Sequence, residues 1–166
     1  MTTSIIIPAR FNSSRFPGKP LTQLKLKNGK SKSLIQLSWE AAKKVDGVNK
    51  VYIATDNSEI KKISESFGAD VVMTSSKCKN GTERCAEAIK NKNIHDDIIV
   101  NFQGDAPLTP KNFVEVLIET MNDDKTIQVS TPVLKCDSDH YSKLVNDREN
   151  DRIGATTTVF DNNNDA

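Results

Sequence analysis

Apolar positions along this chain fall into two alternating periods. Ser4 to Ile7 predicts a first strand, and Ser33 to Val45 a helix with Leu34, Leu37, Ala41 and Val45 along one face. Ser33 and Gln36 are placed as a capping box for that helix. Val51 to Ala54 predicts a second strand. Asp56 and Glu59 then offer a cap ahead of Ile60, Ile63 and Phe67, and Gly68 is placed to end the helix. The rhythm repeats with a strand at Val71 to Met73, a helix at Thr82 to Lys90, and a nearly continuous apolar strand at Ile98 to Phe102, the type covered on both faces. Thr109 and Pro110 read as N-cap and first turn of a helix through Met121. Two further strands are predicted at Ile127 to Leu134 and Ile153 to Phe160, with Pro132 marking an edge or bulge in the former.

Alternating strands and helices predict a mainly parallel sheet with helices on both faces. Ligands of such sheets bind outside the carboxyl ends of the strands. Attention therefore goes to the loops after Ile7, Ala54, Met73 and Phe102.

Bulk properties narrow the field. A chain of 166 residues is expected to be one domain, 1–166. Its formal net charge of +1 argues against a nucleic-acid binder that relies on bulk charge, so any positive patch must be local. No apolar run approaches membrane-spanning length, and no membrane partner is expected. Cys78, Cys85 and Cys136 are odd in number and lack metal-like spacing, which fits a reduced cytoplasmic setting. His95 and His140 stand alone and read as surface residues.

Three loops carry chemistry. Pro8 to Pro20 places Arg10, Arg15 and Lys19 after the first strand, where guanidinium and ammonium groups suit polyphosphate oxygens; a solvated basic loop is the plainer alternative. There is neither a G-x-G-x-x-G nor a Walker lysine motif. Gln103-Gly104-Asp105 sets an amide, a glycine and one carboxylate at a strand end, which fits either a magnesium ion shared with ligand phosphates or a simple turn. Asn80-Gly81-Thr82-Glu83-Arg84 reads as a helix cap, or as a start that offers amides and Arg84 to a nucleotide. Asp56 has a sufficient structural task as an N-cap.

Taken together, Ile6 to Arg10 with Ser14 to Pro20, Ala54-Thr55-Asp56, Gly81 to Arg84 and Gln103 to Asp105 resemble, in order and spacing, the 3-deoxy-manno-octulosonate (Kdo) cytidylyltransferases. Pro20 and the Gly-Thr-Glu-Arg run favour this group over the related acylneuraminate enzymes. The resemblance implies a Rossmann-like nucleotide-diphosphosugar transferase fold. It also implies a magnesium-dependent reaction of CTP with an acidic eight-carbon sugar, giving CMP-Kdo and pyrophosphate for lipopolysaccharide or capsule synthesis. By the same resemblance Arg10, Lys19 and Asp105 are the catalytic group, with Asp105 the metal ligand. Ala9, Arg10, Arg15, Lys19, Asn80, Gly81, Arg84 and Gln103 would surround the nucleotide, Gly81 to Arg84 bordering base and ribose. Homodimers are implied for the full family fold. Ala106 and Asn80 stand where the family commonly has Glu and Ser. The chain is expected to lack the family's carboxyl-terminal part, and with it a second metal carboxylate and most sugar determinants. Activation of another ulosonic or nonulosonic sugar, or a CTP-binding module without catalysis, are the alternatives.

Overall fold

A computed structural model of the chain describes residues 1–12, 16–152, 158, 159 and 161. Contacts group the chain into two units, Met1–Ser130 and Thr131–Ala166. The first contains strands β1 (Thr3–Ala9), β2 (Gln23–Lys25), β3 (Ser31–Ser33), β4 (Lys50–Thr55), β5 (Asp70–Met73) and β6 (Ile98–Asn101). Its helices are α1 (Leu34–Ala42), α2 (Ser58–Ser66), α3 (Gly81–Lys92) and α4 (Lys111–Asp123).

Four strands form a parallel sheet in the order β5-β4-β1-β6. Successive strand residues face opposite sides, and the core divides accordingly. Ile5, Ile7 and Ile53 pack with Ile35 of α1, Ile60 of α2, and Val114 and Ile118 of α4. Ile6, Tyr52, Ala54 and Val72 pack with Cys85 and Ala88 of α3 on the other side. The predicted parallel sheet with helices on both faces is therefore what the chain forms. Ile5, Ile6 and Ile7 are fully buried, which stabilises the fold by about 1.5–3 kcal/mol for each side chain. From β1 the chain steps outward to β4 and β5, then returns through α3 to place β6 on the other side of β1. The carboxyl ends of β1 and β6 thus flank the point where the strand order reverses, where open α/β sheets bind ligands.

The caps explain most helix starts. Ser33 Oγ accepts from the Gln36 amide at 3.3 Å, while the Gln36 side chain donates to Glu40 and so completes only half a capping box. The buried stripe of α1 runs through Leu34, Ile35, Ser38 and Ala42; of the predicted face, Leu34 is buried, Val45 is buried just beyond the helix, Ala41 packs against the core half-buried, and Leu37 is only half-buried. Ser38 lies in it because its hydroxyl donates to the Gly104 carbonyl at 2.9 Å. At α2 the cap is Asn57, whose Oδ1 accepts from the Glu59 and Ile60 amides, and not Asp56. The predicted Thr109 cap also shifts. Its hydroxyl donates to the Ala106 carbonyl, and Pro110 is the residue before α4.

One element is new, one expected strand is absent and one lies out of view. The antiparallel hairpin β2–β3 was not foreseen. Residues 127–134 form no strand. Val129, Val133 and Leu134 are exposed, Pro132 lacks an amide donor, and among the described residues no strand pairs with the segment. The strand expected over 153–160 falls largely on residues outside the description. In the second unit, α5 (Ser138–Glu149) starts from Asp137, which accepts from the His140 amide at 2.8 Å.

Candidate active site

The carboxyl edge of the sheet encloses a cavity of about 300 Å³ lined by Pro8, Arg10, Lys19, Pro20, Leu34, Lys79, Asn80, Gly81, Arg84, Gln103, Gly104 and Asp105. That is the small end of the range for ligand sites. Arg10, Lys19, Asn80, Gly81, Arg84, Gln103 and Asp105, which lie on three separate loops in sequence, thus share one hollow. Ala9 is buried in the core beside it and does not line it. Arg15 lies outside the described residues. Lys79 is a lining cation that the sequence reading did not single out.

Backbone geometry sets the walls. Gly18 adopts φ +70, and its amide donates to the Phe11 carbonyl, closing the basic loop before a 3-10 turn at Lys19–Leu21. At Gly104 a Cβ would lie 2.9 Å from the Pro8 carbonyl oxygen. Only a glycine lets the strand-end turn press this closely on β1. At Gly81 a Cβ would sit 3.1 Å from Pro8 Cγ and 3.7 Å from Gln103 Nε2. The first turn of α3, the end of β1 and the loop after β6 are therefore in contact. Asn80 Oδ1 accepts from the Glu83 amide at 2.8 Å, and Glu83 in turn accepts from the Lys79 amide at 2.8 Å. This fixes the start of α3, a helix end of the kind whose free amides favour anions.

Charges in the hollow are unequal in freedom. Lys19 Nζ and Asp105 Oδ2 form an ion pair at 2.5 Å, with side chains 45% and 49% exposed. A pair so exposed contributes roughly 0–1 kcal/mol and yields readily to a ligand. Arg84 differs. It is 2% exposed, and its guanidinium donates to Thr74 Oγ1 at 2.6 Å and Asp56 Oδ2 at 3.1 Å. Asp56 thus serves as the partner of Arg84 and not as a helix cap. Gln103 is exposed, its amide donating to Asn101 Oδ1 at 3.0 Å.

Among the described residues no cluster of three or more His, Cys, Asp or Glu side chains could hold a metal by itself. Asp105 still fits magnesium, which takes one or two protein carboxylates and completes its shell with water and substrate phosphates. The thiols offer no nucleophile here. Burial, and then the hydrogen bond to Glu87, push the Cys78 thiol up, and burial pushes Cys85 to about 12 against the opposing pull of Arg84.

This architecture, with cations and a lone carboxylate gathered at the reversal point of a parallel sheet, is that of a nucleotide-binding α/β domain. The chain belongs to the cytidylyltransferase family, whose pattern it matches over residues 4–153. Within that family its resemblance is to the Kdo-activating group. It is 37% identical over 166 residues to a 3-deoxy-manno-octulosonate cytidylyltransferase of Maricaulis maris (strain MCS10), covering all of this chain and 62% of that protein. It is 43% identical over 120 residues to an 8-amino-3,8-dideoxy-manno-octulosonate cytidylyltransferase of Shewanella amazonensis (strain ATCC BAA-1098 / SB2B), covering 72% of this chain and 47% of that one. The solved structure of a CMP:2-keto-3-deoxy-manno-octonic acid synthetase complexed with CTP superposes with a TM-score of 0.69 at 37% identity, over 76% of this chain and 50% of the other. The chain thus spans about half to three-fifths of the length of these relatives.

Proposed function

We propose that the protein carrying this sequence is a nucleotidyltransferase that activates Kdo with CTP, releasing pyrophosphate. The observation that carries the proposal is the meeting of Arg10, Lys19, Gln103 and Asp105 in one cavity, at the carboxyl ends of β1 and β6. The names of the relatives support the choice of nucleotide and sugar.

In this reading Arg10 and Lys19 hold the triphosphate and stabilise charge that grows as the α-phosphorus is attacked by the sugar's anomeric hydroxyl. The ammonium of Lys19 would exchange Asp105 for a phosphate oxygen, and the carboxylate of Asp105 would hold magnesium. When bound, the ion neutralises phosphate charge and orients the reacting oxygens. Gln103 lies against nucleotide or sugar, and the Asn80–Gly81 turn borders base and ribose. The anomeric hydroxyl attacks in line, its new bond to the α-phosphorus forming as the bond to the departing pyrophosphate breaks, and its proton passes to solvent; no histidine or cysteine lines the cavity among the described residues. A cytoplasmic homodimer belongs to the same proposal.

The test is pyrophosphate release by the natural gene product containing this sequence. Release is expected only when CTP, magnesium and Kdo are all present, and to fall if the 8-amino analogue replaces Kdo. Release without sugar, or equal release with ATP, would overturn the reading. Faster release with the 8-amino sugar would move the assignment to that substrate.

A further inference from the structure

The side chain of Arg84 ties α3 to the carboxyl ends of two strands at once. One nitrogen donates to Thr74, directly after β5, and another to Asp56, directly after β4. Both partners of this ion pair are largely buried, at 3% and 14% side-chain exposure. The second oxygen of Asp56 is buried without a hydrogen-bond partner among the described residues. Arg84 is therefore the group that compensates this carboxylate. Removing one member of such a pair leaves an uncompensated buried charge.

The consequence reaches the cavity through the first turn of α3. Arg84 sits one helical turn from Asn80 and Gly81, and Gly81 presses on Pro8 and Gln103. The position of that turn sets the distance between the α3 wall and the walls made by the loops after β1 and β6. Asp56 does not line the cavity.

We infer that Asp56 and Arg84 are a pair of positioning residues: they fix the first turn of α3 as a wall of the nucleotide cavity, so that Arg84, whose side chain also lines the cavity, serves the nucleotide through that turn. This adds a positioning role to the nucleotide-contact role that the family resemblance implies for Arg84, and gives Asp56, which does not line the cavity, a part in the site. The ligand named here rests on the CTP reading, whereas the strut itself rests on geometry alone.

The experiment compares wild type with Asp56→Asn, Arg84→Lys and the double variant. Three quantities are read: the Kd for CTP with magnesium, the Kd for inorganic triphosphate, and amide hydrogen exchange over residues 82–87 without ligand. The strut predicts about tenfold weaker CTP binding for each single variant and no further loss in the double, since residues acting as one unit are not additive. Triphosphate binding, served by Arg10 and Lys19, should stay within about twofold, and exchange at the start of α3 should quicken in every variant. A direct-contact role predicts instead that Asp56→Asn leaves both CTP affinity and exchange unchanged, which would overturn the proposal. Parallel loss of CTP and triphosphate binding with a large fall in Tm would also overturn it, as a general loss of fold. Asparagine keeps the shape of Asp56 and still accepts from Arg84, so this variant decides the matter if Arg84→Lys does not fold. If wild type binds no CTP, the function proposed above fails while the exchange data still judge the strut.

Discussion

Asp105→Asn is expected to make CTP binding indifferent to magnesium and to stop pyrophosphate release. Altering a residue behind a metal ligand already costs roughly 10–100-fold in metal affinity or activity, and loss of the ligand's own charge should cost at least that much. The competing effect is small. Asp105 is half exposed and its only ion pair among the described residues is with Lys19, an interaction worth about 0–1 kcal/mol. The variant should therefore melt close to wild type. A further sign separates metal chemistry from damage: in the presence of chelator, the variant should bind CTP at least as well as wild type, because Lys19 no longer has a carboxylate beside it. Magnesium-dependent CTP affinity that survives in Asp105→Asn would remove this residue from the metal site.

Arg10→Ala is expected to lower turnover by on the order of 10²–10³, the range for losing a group aimed at charge that develops in the transition state. The accompanying loss of CTP affinity should be smaller, because an interaction that strengthens toward the transition state appears mainly in kcat. Arg10 is exposed at the end of β1 and makes no ion pair among the described residues, so its removal should leave stability unchanged. Turnover that is unaffected while CTP affinity falls would limit Arg10 to holding the ground state.

The parts of the fold that could be read from the sequence are those in which burial writes a period. β1, β4, β5 and β6 are apolar because both faces of the sheet are covered. The hairpin β2–β3 leaves no such trace, since its three-residue strands are mostly exposed and Leu24 itself is 38% exposed. Helix α5 buries none of its residues, so only its Asp137 cap could have announced it. The segment 127–134 errs in the opposite direction. Val129, Val133 and Leu134 have strand propensity, but a strand exists only where another backbone pairs with it.

The site shows the same division. Arg10, Lys19, Gln103 and Asp105 were legible because the order of strands places their loops on one edge, and the family resemblance then groups them. The exchange of roles between Asp56 and Asn57 was not legible. Both are good N-caps, and the arginine that claims Asp56 arrives 28 residues later in the chain. Ser38 was hidden for a related reason, as a polar residue inside an apolar stripe, held there by a single bond to Gly104.

The central claim is that the cavity between the ends of β1 and β6 is a site for CTP with magnesium. Calorimetric titration of the ligand-free protein with CTP, ATP and GTP, each with magnesium, tests it most directly. CTP is expected to bind at least about tenfold more tightly than either purine nucleotide, a difference of about 1.4 kcal/mol, with the preference lost in neither chelator nor salt although all affinities fall. Equal affinity for the three nucleotides would contradict the account and reduce the cavity to a patch that binds any polyphosphate.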